Sequence, residues 1–143
     1  MRLMHRLLLA AALLAAPLPA YAGCSLGTPS PANNIAISAT GTTGALTASL
    51  LSTSSSVTNM TGFYVSGSGA TTAIVLDVTV TGSVGGTLHF SYGVSGTTTA
   101  ANTPLNITFA CPLQAAAANT AIVVNVPAAG TGSVIQSVTA FGY

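Results

Sequence analysis

Apolar residues alternate with Thr, Ser and Gly in short runs along most of this chain, and glycines punctuate the runs. Side chains of a strand point to opposite faces in turn, so such alternation reads as strands with one buried face. Eight candidates follow: 34–39, 45–50, 62–66, 72–81, 86–92, 105–110, 120–126 and 134–141. Turn signals lie between nearly all of them, at Gly41 with Gly44, Gly67 with Gly69, Gly82 with Gly85 and Gly86, Gly93 with Gly96, and Gly130 with Gly132. Regular short strands with this punctuation predict an all-β fold: an antiparallel β-sandwich, immunoglobulin-like or jelly-roll-like, of about seven or eight strands. Residues 52–58 read as a loop, and the alanine run 115–118 is too short to hold a helix.

The runs 72–81 and 86–92 form the clearest unit, a hairpin. Ile74, Leu76, Val78 and Val80 share one face of the first strand, and Leu88, Phe90 and Tyr92 share one face of the second. A turn centred near Ser83 sets Val78 opposite Leu88, Leu76 opposite Phe90 and Ile74 opposite Tyr92, so both apolar rows reach the same core. The same register puts Asp77 opposite His89 on the outer face, as a cross-strand surface pair.

Charge narrows the possible chemistry. The 143 residues contain two basic side chains, Arg2 and Arg6, and one carboxylate side chain, Asp77. Both arginines fall in a leader, residues 1–22, with a basic start, an apolar stretch at 7–16, two prolines and the small residues Ala20 and Ala22. That is the pattern of a secretory signal cleaved after Ala22, which leaves one domain over 23–143. No later apolar run is long enough for a transmembrane helix. Without cationic side chains the mature chain has nothing with which to displace counterions from phosphates, so nucleic-acid binding is not expected.

The mature chain has two cysteines, Cys24 and Cys111. In a secreted protein an even count predicts a disulfide between them, which would close most of the chain into one loop. The alternative is a lipid anchor, because the sequence from Tyr21 to Cys24 resembles a bacterial lipoprotein signal, with Cys24 as the modified residue. Cys24, Cys111 and one histidine fall short of a closed zinc site. There is no H-E-x-x-H, P-loop or acidic calcium loop, and no cofactor is expected. His89 with Asp77 would need a nucleophile and oxyanion donors to work as a hydrolase, and no G-x-S-x-G elbow is present.

Residues 130–143 place a glycine upstream of Val134, Ile135, Val138 and Phe141 and close on Tyr143. This stretch resembles the last strand of bacterial chaperone–usher pilins, whose subunits have an incomplete immunoglobulin-like fold completed by a neighbour's strand. The resemblance implies a secreted, assembling sandwich. It departs from that family at Cys24, which leaves no donor segment ahead of it.

The functional expectation is a secreted, periplasmic or surface-associated bacterial structural protein, non-catalytic, associating with itself or other extracellular proteins. A charge-poor surface of Thr, Ser, Gly and Asn supports this, because neutrality promotes association. The alternative is a carbohydrate-binding module using Tyr64 and Tyr92 from loops. A hydrolase using His89 and Asp77 ranks third.

Overall fold

The computed structural model describes residues 34–52 and 55–143. Strands form along all eight alternating runs: β1 (Ile35–Gly41), β2 (Leu46–Leu50), β3 (Asn59–Gly67), β4 (Ile74–Ser83), β5 (Gly86–Val94), β6 (Leu105–Gln114), β7 (Ile122–Val126) and β8 (Gln136–Gly142). They make two antiparallel four-stranded sheets, ordered β1-β8-β3-β6 and β2-β7-β4-β5. The pairing is nested: β4 with β5, β3 with β6, β2 with β7 and β1 with β8. The chain doubles back at the β4–β5 turn, and the resulting ribbon winds into two layers. Eight strands arranged in this way are a jelly roll, so of the two sandwich types expected it is the jelly-roll order that is found. The immunoglobulin order instead sets the first two strands side by side in one sheet.

Alternation explains the layers. Leu46, Ala48 and Leu50 of β2, Ile122, Val124 and Val126 of β7, and Leu76, Val78 and Val80 of β4 are all buried. They face Met60, Phe63 and Val65 of β3 with Val138 and Ala140 of β8, also buried. Each large side chain removed from water in this way contributes about 1.5–3 kcal/mol. The sheets lie close where β1 runs beside β2, and stand further apart at β5 and β6. Three phenylalanines fill the wider side: Phe63 packs edge-on against Phe90 at 5.1 Å, and Phe109 lies 6.3 Å from each.

The β4–β5 hairpin corrects the expected register. Val84 and Gly85 make the turn, with Ser83 opposite Gly86. Carried straight down the strands, that pairing would set buried Val80 opposite His89. Thr81 and Gly82 instead stand against Thr87 alone, a bulge in which Gly82 has φ +84°, and Val80 meets Leu88. Val78 therefore faces Phe90, Leu76 faces Tyr92 and Ile74 faces Val94, two residues along from the expected partners. An even shift keeps every side chain on its expected face, but Ile74, at the end of β4, is 47 % exposed and does not reach the core as expected.

Two other segments also differ from the reading of the sequence. β6 continues to Gln114 because residues 109–112 bulge out between the Gly62–Thr108 and Met60–Leu113 pairs. Pro112 is tolerated there because β6 is an edge strand, where a missing N–H costs no ladder bond. In the alanine run, Ala115 bridges to Ser83. Among the described residues no helix is long and apolar enough to cross a membrane.

Candidate functional site

The outward positions of the β2-β7-β4-β5 sheet carry the expected pair. Thr47, Asn125, Thr79 and His89 form one row across all four strands, and the Thr47 hydroxyl donates to Asn125 Oδ1 at 3.3 Å. His89 Nδ1 lies 2.8 Å from Asp77 Oδ2 and 3.1 Å from Oδ1. The two side chains remain 62 % and 61 % exposed. They meet diagonally: Thr79 stands opposite His89, and Ser91 opposite Asp77. The expected contact is present, but its expected geometry is not. A two-residue register shift leaves an imidazole and a carboxylate within reach along the diagonal.

Acyl-transfer chemistry would require a nucleophile on the second ring nitrogen and donors converging on a cleft. Among the described residues no hydroxyl bonds to that nitrogen, and the pair stands on a strand face. It borders neither of two surface depressions. One, of about 420 Å³, is bounded by residues including Ala36, Thr61 and Phe141. The other, of about 280 Å³, lies among residues 70–74 and 129–131. Among the described residues no three His, Cys, Asp or Glu side chains are grouped to hold a metal ion.

The opposite outer face, on β1-β8-β3-β6, repeats the pattern without charge. Ser38, Thr139, Tyr64 and Asn106 form a row across its four strands, and the Ser38 and Thr139 hydroxyls are 2.8 Å apart. Phe141 covers Gly62, where a Cβ would come within 2.8 Å of the ring. Tyr64 and Tyr92 are strand residues, not loop residues, and only Tyr64 points outward. Tyr92 is 1 % exposed, so it cannot touch a ligand. Burial pushes its phenol above the ordinary value of 10.0, and the neighbouring Asn102 partly offsets this.

Asn102 was not singled out by sequence, because its role depends on three loops meeting. Its amide donates to the Ser68 carbonyl at 2.7 Å, and its Oδ1 accepts from the Ser95 N–H at 2.9 Å. Ser68 Oγ in turn accepts from the Val134 N–H at 2.8 Å. The loops after β3, β5 and β7 are thereby tied into one end of the sandwich. Gln136, 1 % exposed at the start of β8, has neither amide atom hydrogen-bonded; it shares the inward face with Val138 and Ala140, two and four residues along.

Cys111 lies in the β6 bulge, and the described residues include no free cysteine. Cys24, its expected disulfide partner and the alternative lipid site, lies outside the described residues, as does the leader, residues 1–22. No protein-family model, curated protein or solved structure matches this chain.

Proposed function

We propose that this chain is a secreted bacterial structural protein of the periplasm or cell surface, non-enzymatic, that works by assembling with copies of itself. One observation carries the reading: the outward rows of both sheets consist of hydroxyls, amides and rings, and Asp77, beside His89, is the one carboxylate side chain on either face. On one sheet the outward row is Thr47, Asn125, Thr79 and His89; on the other it is Ser38, Thr139, Tyr64 and Asn106. Burying hydroxyls and amides against like groups avoids the cost of stripping water from Lys or Glu. The four edge strands, β1, β6, β2 and β5, contain no Lys, Arg, Asp or Glu to repel another chain. In this reading a Cys24–Cys111 disulfide fastens the segment ahead of β1 to β6, and a lipid on Cys24 is the alternative means of attachment. Light scattering with negative-stain microscopy of the mature protein tests the proposal. Ordered multimers support it, and a single species of monomer mass at every concentration removes it.

Tyr64 supports a second reading, a carbohydrate-binding face, because an aromatic ring there is flanked by Thr139 and Asn106. A glycan array on wild type and Tyr64→Ala distinguishes the two: binding lost in the variant supports this face, and a flat wild-type response excludes it.

A further inference from the structure

We propose that β5 is the strand through which two copies of this chain join, edge to edge and antiparallel, so that two four-stranded sheets become one of eight; the inference rests on the self-assembling reading above. Four strands lie at sheet edges, and three of them are protected. β6 is interrupted by its bulge and carries Pro112. β2 has five residues. β1 runs beside β2 where the sheets close together. β5 has nine residues, Gly86–Val94, and pairs with β4 without a break from Leu88 to Val94. Among the described residues no strand pairs with its other side. It contains no proline and no Lys, Arg, Asp or Glu, the devices by which natural edges avoid pairing.

The occupant is a second copy because this edge is its own complement. A two-fold axis at the central residue, Phe90, overlaps the whole strand and pairs positions 88 with 92, 89 with 91 and 87 with 93. Inward residues then meet inward residues: Phe90 meets its counterpart, and Leu88 meets Tyr92 of the second copy. Outward, His89 meets Ser91 and Thr87 meets Gly93. Leu88 and Phe90 are only half-buried in one copy, and Phe109 of β6 stands 6.3 Å from Phe90, so the edge has an apolar flank to cover. No like charges oppose one another across the axis. Such a self-complementary patch is what an isologous dimer requires. A nine-residue strand is about 30 Å long. With both edges of the sandwich the footprint is about 20 Å wide. The two copies together would bury about 1,200 Å², the lower bound for a specific interface.

The test places like charges in opposition without touching the core. Thr87 and Gly93 are exposed, and a Cβ at Gly93 meets nothing within 4 Å. In Thr87→Lys/Gly93→Lys each new lysine faces another across the axis, which weakens dimerisation by on the order of tenfold for each contact at low salt. Sedimentation velocity should show wild type as a dimer or larger and this variant as a monomer, with an unchanged circular dichroism spectrum. Mixing it with Thr87→Glu/Gly93→Glu should restore dimers that contain one copy of each, seen by native mass spectrometry. If the lysine variant assembles as wild type does, β5 is not the interface, although the self-assembling reading stands. A wild type that stays monomeric overturns both. A monomer whose outer β5 amides resist hydrogen exchange overturns the inference too, by showing this edge covered by its own chain.

Discussion

His89 reaches Asp77 along a diagonal of the β4–β5 hairpin, Nδ1 to Oδ2 at 2.8 Å, while the residue directly opposite His89 is Thr79. Both partners are well exposed, so solvent screens the contact and its coupling should be about 0.2–1 kcal/mol. A double-mutant cycle with His89→Ala and Asp77→Asn in urea checks this. The expected coupling lies in that range and shrinks with salt; a coupling of several kcal/mol would mean that the pair does more than support the hairpin.

Gly82, Gly86 and Gly93 should respond to alanine in a graded order. Gly82 has φ +84°, and a Cβ there would come within 2.2 Å of the Ala121 carbonyl oxygen, so Gly82→Ala should cost about 2–4 kcal/mol. Gly86 has φ +83° but open surroundings, and the backbone penalty alone predicts about 1–2 kcal/mol. Gly93→Ala should be close to neutral. Thermal melts of the three variants check the order, and equal losses would show that the bulge does not hold the register.

Tyr92 predicts an alkaline limit to stability. Its phenol titrates above 10.0 in the folded protein because burial disfavours the charged form. As pH rises through the unfolded value the unfolded chain loses its proton first, so it binds fewer protons than the native state and stability falls. The loss should begin near pH 10 and be smaller in Tyr92→Phe. Urea midpoints from pH 8 to 11 measure it, and identical profiles for wild type and variant would contradict the burial.

A Cys24–Cys111 bond predicts that non-reducing intact mass is lower by two hydrogens than the reduced mass, with no lipid added. Cys111→Ser should lower stability by about 4–5 kcal/mol if loop entropy dominates. A mass increased by acyl chains would replace the disulfide with the lipid anchor, and unmodified thiols without added mass would exclude both.

The eight strands were legible because each is a local alternation, and the hydroxyl-rich outer faces follow from the same period of two. The hairpin register was displaced because the turn falls at Val84 and Gly85 rather than at Ser83, and the bulge at Thr81 and Gly82 brings the displacement to an even two residues. The even displacement preserved the faces, and so the His89–Asp77 contact was recognised with the wrong partner directly opposite. Strand order was not legible, since pairing β1 with β8 joins residues such as Ile35 and Gly142 from opposite ends of the described chain. Tyr92 reads in two ways: the alternation sets it with Leu88 and Phe90 on the core face, where it lies 1 % exposed, whereas the loop position given to it by the carbohydrate-binding reading is not found.

Sedimentation velocity of the oxidised, mature wild-type protein over a wide concentration range, at low and high salt, tests the central claim most directly. Assembly that grows with concentration and scarcely changes with salt is the predicted result, because the edge strands hold no Lys, Arg, Asp or Glu. A single monomeric boundary under every condition would contradict it.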